Sequence, residues 1–239
     1  MKEYRPRLNR SEWEQIQKLR KDSDENVLVI GDLHEPFCLD GYFEFCSDAY
    51  DKYNCNKVVF IGDIIDNHYS SFHESDPDGM AAGQELDFAV NRLKKWYERF
   101  PDAYVTIGNH DRIMMRKAMS SGLSRRWIRD YNQVLEVPNW KFVDEISIAD
   151  VTYVHGEGGT AKTRVKQDME SIVQGHLHTQ AYIEWTVGPR HRCFGMQVGC
   201  GIDRHSYAMA YAKSGKKPVI GCAVVLDNGK TPINLIMEL

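Results

Sequence analysis

The 239-residue sequence is 42% hydrophobic and 27% charged, the composition of an ordinary soluble globular protein with enough apolar residues for one substantial core. Its formal charge of -4 excludes a global attraction to nucleic acid or anionic membrane, so any attraction to phosphate has to be local. Six cysteines with neither a CxxC pair nor zinc-ribbon spacing exclude a disulfide framework and read as small buried apolar residues of a reducing compartment.

The charged stretch 1–7 is followed by no apolar run of the kind a signal peptide needs, and no run approaches the roughly 18 apolar residues of a membrane span. A cytoplasmic protein with no membrane partner is expected. Ser11 and Glu14 form a capping-box pattern that opens an amphipathic segment to about Lys21. A first strand is predicted at Val27 to Ile30, a helix from about Leu39 to Tyr53, and a second strand at Val58 to Ile61, a βαβ unit that starts a parallel sheet. Asn67 to Gly79 reads as a polar loop carrying His68 and His73. Met80 to Phe100 has apolar residues at helical spacing, and Pro101 closes that helix before a third strand at Tyr104 to Ile107.

Residues 112–129 hold six Lys or Arg and no Asp or Glu, either a solvated helical face or a phosphate-attracting rim. From Trp140 the pattern changes to short strands with tight turns, at about 140–143, 146–149, 151–154, 172–174, 181–187, 192–198, 219–226 and 232–237. These suggest a second, partly antiparallel sheet packed on the first. With no repeat or linker, residues 1–239 are expected to form a single domain.

Five of the predicted strands end in the same way, an apolar run followed by Asp, Asn or His: Asp32 and His34, then Asp63 and Asp66, then Asn109, His110 and Asp111, then His155, then His176 and His178. Open α/β sheets bind their ligands at such C-terminal strand ends. Asp32, His34, Asp63, Asn109, His155, His176 and His178 offer oxygen and imidazole donors without a thiolate, a set that suits Mn²⁺, Fe, Zn²⁺ or Ni²⁺. Seven donors exceed what one transition metal with an open position needs. Two divalent ions sharing a carboxylate, about 3.5–4 Å apart, fit the number.

The ordered blocks Asp32-x-His34, Gly62-Asp63-x-x-Asp66, Gly108-Asn109-His110-Asp111, His155-Gly156 and Gly175-His176-x-His178 resemble the calcineurin-like metallophosphoesterase superfamily over about residues 27 to 178. The resemblance implies a sandwich of two mixed β-sheets with helices outside. It implies that Asp32, His34 and His178 hold one ion, that Asn109, His155 and His176 hold the other, and that Asp63 bridges them, with Mn²⁺ the favoured metal. It implies that His110 sits over the phosphate, stabilising its equatorial oxygens or protonating the leaving oxygen, while Asp111 orients the His110 ring. The implied reaction is one-step hydrolysis in which a metal-bridging hydroxide attacks phosphorus in line.

Protein Ser/Thr phosphatases of the superfamily place Arg where this sequence has Asn67 and Ile107, and a subgroup of small phosphodiesterases has Cys where it has His110. The pattern therefore looks more like phosphodiesterases and nucleases acting on nucleotide-type or nucleic-acid substrates. Asp66, Asn67, Arg112 and Arg116 are the candidate substrate contacts, although Asp66 could equally support a ligand histidine or cap a turn. The alternatives are a phosphomonoesterase gripping phosphate through Arg112, Arg116 or Arg204, and a metal-binding scaffold without activity. His68 and His73 read as ordinary loop histidines, and Gly156 to Gly159 with Lys162 and Arg164 as a weak anion-cradling turn.

Overall fold

The structure, a computed structural model, describes residues 9–11, 25–72, 76–189, 191–206 and 217–238. Most of the segment predicted from Ser11 to Lys21, and His73, lie outside them. The strands are β1 (Val27–Ile30), β2 (Lys57–Phe60), β3 (Tyr104–Thr106), β4 (Lys141–Val143), β5 (Glu145–Ile148) and β6 (Val151–Val154), followed by β7 (Ser171–Gln174), β8 (Tyr182–Val187), β9 (Arg192–Gln197), β10 (Gly221–Leu226) and β11 (Thr231–Ile236). The helices are α1 (Tyr42–Lys52), α2 (Ala82–Arg99), α3 (Ile113–Ser120), the single turn α4 (Tyr131–Val134) and α5 (Ala161–Asp168).

Two mixed sheets result. The six-stranded sheet has the order β11-β10-β1-β2-β3-β4, and the five-stranded sheet the order β5-β6-β7-β9-β8. In the first, β1 to β4 run parallel and β10 pairs antiparallel with β1. In the second, β6, β7 and β9 are parallel, with β5 and β8 antiparallel at the edges. The strands after Trp140 do not all enter the second sheet: β4 extends the first sheet at one edge, and β10 with β11 completes it at the other.

Alternation along β1 explains its uninterrupted apolar run. Val27 and Val29 face the second sheet, where they meet Tyr153, Val173, Phe194 and Met196. Leu28 and Ile30 face the other way, into a core with Tyr42, Cys46, Leu93, Trp96 and Trp140. A strand covered on both faces has no polar side to show. Helix α2 buries Ala89, Leu93 and Trp96, one stripe at helical spacing, and fully burying such a side chain contributes about 1.5–3 kcal/mol. The helix is also tied to the end of β1, because buried Glu35 accepts from Arg92 Nε at 2.5 Å and from Trp96 Nε1 at 3.1 Å.

Helix α5, where only a glycine-rich turn was expected, packs Val165 against Ile172 and Cys193 on the outer face of the second sheet. Its signal is Thr160, whose hydroxyl accepts from Thr163 N. All six cysteines are unpaired and buried. No helix among the described residues is long and apolar enough to cross a membrane.

Candidate metal centre

The C-terminal ends of β1, β2 and β3 in one sheet, and of β6 and β7 in the other, bring the predicted donors together. Asp32, His34, Asp63 and His178 each place a ligand-type atom within 4.8 Å of the others, and Asp63, His155 and His176 do the same. Asp63 belongs to both groups. Asn109 joins the second, its Oδ1 lying 3.0 Å from His155 Nε2.

The hydrogen bonds fix which imidazole nitrogens face inward. His155 Nδ1 donates to the Ile61 carbonyl at 2.9 Å, leaving Nε2 toward two oxygens, Asn109 Oδ1 and Asp63 Oδ2, the latter at 3.2 Å. His34 Nδ1 donates to Asp66 Oδ1 at 2.6 Å, which turns its Nε2 toward His178 Nε2 at 3.1 Å. His178 Nε2 in turn lies 3.1 Å from Asp32 Oδ2. Buried Asp32 Oδ1 accepts no hydrogen bond. Inward lone pairs facing one another and facing carboxylate oxygens are costly unless a cation sits among them. The residues therefore fit a pair of divalent ions.

The backbone is adapted to this convergence. His34 (φ 52), Asp63 (φ 47) and His176 (φ 69) are left-handed, a conformation that costs a non-glycine residue on the order of 1–3 kcal/mol and persists where surrounding bonds over-determine it. His34 N donates to Asp63 O at 2.9 Å and His176 N to Asp32 Oδ2 at 2.9 Å, so each strained loop is anchored to another. Gly108 and Gly175 are required for close approach: a Cβ at the first would lie 2.1 Å from Asp63 Oδ1, and at the second 2.2 Å from Asp32 Oδ1.

Comparison with known families decides what this arrangement is. The sequence model of the calcineurin-like phosphoesterases matches residues 25–202, which contain every donor above. The chain belongs to the calcineurin-like phosphoesterase family. No curated protein matches it in sequence. Among solved structures it is similar to Vacuolar Protein Sorting 29 from Cryptosporidium parvum, at 15% identity over 90% of this chain and 92% of that one, with a TM-score of 0.46. It is also similar to the phosphoesterase YfcE from E. coli, at 13% identity over 89% and 100% of the two chains with a TM-score of 0.43. A third is the Pseudomonas putida nuclease MPE, at 14% identity over 87% of each chain with a TM-score of 0.38.

Around this donor cluster several residues take places the sequence did not suggest. Asp111 does not orient His110. Its carboxylate accepts from Gly108 N at 2.8 Å and Ile64 N at 3.0 Å, clamping the two ligand loops together, and burial, then the nearby Asp63 charge, push its pKa up to about 6. The His110 ring is held instead by the backbone carbonyl of Asp66, 2.5 Å from Nδ1. Burial works against a charged His110 ring, but the Asp63 and Asp66 carboxylates outweigh it and raise its pKa above the usual histidine value.

Asp66 is buried against His34 rather than facing a substrate. The grouping of His34, Asp66 and His110 is therefore a hydrogen-bonded brace that sets ring orientation. Asn67 Nδ2 donates to His110 O at 3.0 Å. Arg112 binds Glu157 and, at 2.9 Å, Asp144, while Arg116 is exposed and lies over the Phe72 ring at 4.7 Å. Arg204, the other arginine considered for a phosphate grip, donates to His205 Nε2. Buried Gln197, outside the predicted donor set, donates its amide to the Gly175 carbonyl behind the His176 loop. Its signal is a polar side chain closing the apolar run of β9.

The His155 environment gives a pH-dependent expectation. Burial opposes protonation, but with no ion bound the charge and hydrogen bond of Asp63 prevail and carry the His155 pKa from 6.5 up to about 10. A raised histidine pKa stabilises the metal-free fold fully below about pH 6.5, and that stabilisation is lost as pH rises through about 10. Metal needs the unprotonated nitrogen, so proton competition also fades over this window. The difference in Tm between metal-loaded and chelated protein should therefore widen from pH 6.5 to pH 9, each kcal/mol appearing as about 2–4 °C in a chain of this size. A constant difference in scanning fluorimetry would place the proton elsewhere.

Proposed function

We propose that this protein is a dinuclear metal-dependent phosphoester hydrolase that prefers diesters, with nucleotide-type or nucleic-acid esters as its substrates. The reading is carried by two donor groups that share Asp63 and lie beside an imidazole, His110, whose ring belongs to neither. Asp32, His34, Asp63 and His178 would hold one ion, and Asp63, Asn109, His155 and His176 the other. Oxygen and imidazole donors without a thiolate suit Mn²⁺, Fe, Zn²⁺ or Ni²⁺, and Mn²⁺ is the ion we favour. Once bound, the pair supplies an activated water nucleophile at neutral pH and positive charge for the phosphoryl oxygens.

The chain's own groups do the rest. His110 is fixed through Nδ1, so its Nε2 can hydrogen-bond the ester and give a proton to the leaving oxygen. Asp66 keeps the His34 ring in one tautomer, and Asp111 keeps the loops of Asp63 and Asn109 in register.

The preference for diesters is supported by charge. A phosphomonoester dianion carries one more negative charge than a diester, and arginine is the residue suited to it. Here Asn67 and Ile107 stand where the related protein phosphatases have arginine, and Arg112 is already engaged by two carboxylates. A non-catalytic scaffold would have no need of a complete donor set with a braced histidine. The test is turnover of bis-p-nitrophenyl phosphate and p-nitrophenyl phosphate after chelation and Mn²⁺ addition. Metal-restored activity favouring the diester is expected. Monoester preference would make the protein a phosphatase, and no metal-dependent turnover of either would remove the hydrolase reading.

A further inference from the structure

Beside the metal centre is a cavity of about 380 Å³, near the lower end of the range for small-molecule sites. Its walls include Leu86, Ala89, Met114, Met115, Ile128 and Tyr131. None of the seven donors lines the cavity, but Asn67 links its wall to the centre: it bonds the His110 carbonyl and follows the Asp66 that braces His34. Exposed lining residues, among them Gly83, Met114, Arg125, Arg129 and Asp130, mark where the cavity meets solvent.

The surroundings are pre-formed. Glu85 accepts from His68 N at 2.6 Å and Tyr69 N at 3.1 Å, pinning the loop above α2. Tyr131 stacks on Phe142 with centroids 5.2 Å apart, so the wall it forms is already in place. At the opening, Arg125 and Arg129 stand with one carboxylate, the exposed Asp130. An apolar chamber with tyrosine and methionine walls, two arginines against one aspartate at its mouth, and Asn67 linking its wall to the His110 loop suits an aromatic ring carried on an anionic group. Its size leaves room for one ring system.

We propose that this cavity is a substrate subsite that receives the nucleobase of a nucleotidyl phosphodiester. The proposal rests on the phosphodiesterase reading above and names its substrate class. Gly83 provides the test, because a Cβ there meets nothing within 4 Å and a larger side chain at this helical position fills the opening without disturbing the fold.

Three esters with the same leaving group, the p-nitrophenyl phosphates of thymidine (through its 5′ oxygen), methanol and hexanol, would be compared on wild type and Gly83→Phe, each loaded with Mn²⁺. Wild type is expected to prefer the thymidine ester, and Gly83→Phe to lower the thymidine-to-methyl ratio of kcat/KM roughly tenfold, the size of one lost stacking contact. An unchanged ratio with both esters still hydrolysed would overturn the subsite and leave the phosphodiesterase reading standing. Preference for the hexyl ester would overturn the nucleobase in favour of an acyl chain. If wild type hydrolyses none of them, the hydrolase reading fails, and calorimetry with thymidine 5′-monophosphate and inorganic phosphate decides the subsite alone. Equal nucleotide affinity in the two proteins would then overturn it, and weaker nucleotide binding by Gly83→Phe, with phosphate binding unchanged, would uphold it.

Discussion

Asp63→Ala is expected to remove both metal ions and reduce phosphoester turnover to background. Asp63 is the one side chain common to the two donor groups. It is 1% exposed, and the charges of His155, His110 and His34 outweigh its burial and hold its pKa well below the usual carboxylate range, so it is an anion at any working pH. Its Oδ1 also accepts from His110 N at 2.8 Å, and its Oδ2 lies 3.2 Å from His155 Nε2. The substitution therefore removes a ligand from each ion and the counter-charge from His155 in one step. Metal chemistry contributes several kcal/mol to the transition state, and about 1.4 kcal/mol corresponds to tenfold in rate, so the loss should be on the order of 10³-fold or more. Elemental analysis beside turnover checks it. One ion retained with substantial activity would mean that the two groups do not share this carboxylate. Asp63→Asn, which keeps the shape but not the charge, should also lose metal.

His110→Ala separates chemistry from metal binding. Its ring is anchored to the Asp66 carbonyl, and the backbone N–H that bonds Asp63 survives the substitution. Both ions should therefore remain, while kcat falls roughly 10²–10⁴-fold, the usual contribution of a positioned acid or base. The leaving group discriminates between roles. If His110 protonates the leaving oxygen, the variant should lose far less on a nitrophenyl ester than on an alkyl ester, because nitrophenolate departs without a proton. Equal losses on both would assign the ring to stabilising the equatorial oxygens. Loss of metal would show that the ring is a ligand after all.

Much of the centre was legible because each donor follows a short apolar run, and a buried parallel strand announces where its C-terminal end lies. Asp32, Asp63, Asn109, His155 and His176 all come to one place on that rule. The contacts that support them were harder to read. The family resemblance implies that Asp111 orients His110, yet its carboxylate reaches Gly108 N and Ile64 N. The group that does hold the ring is a backbone carbonyl, which any residue at position 66 would offer.

Arg112 looked available to a phosphate because its partners, Asp144 and Glu157, lie far along the chain. Strand periodicity marks β10 and β11 as strands but carries no information about which sheet they join. Helix α5 was hidden because only Ala161 and Val165 are buried in it, too few to set a helical rhythm.

The placement of β10 has a consequence for biogenesis. A nascent chain that has reached residue 202 already contains all seven donors, but β1, which delivers Asp32 and His34, still lacks the neighbour that pairs Val27 with Val225 and Val29 with Ala223. Until those last residues emerge from the ribosome, β1 is a bare edge open to pairing with other chains. Contacts between residues so far apart in sequence are also slow to close. A truncation beyond the last ligand, removing β10, is therefore expected to loosen β1 and the Asp32–His34 loop that it carries.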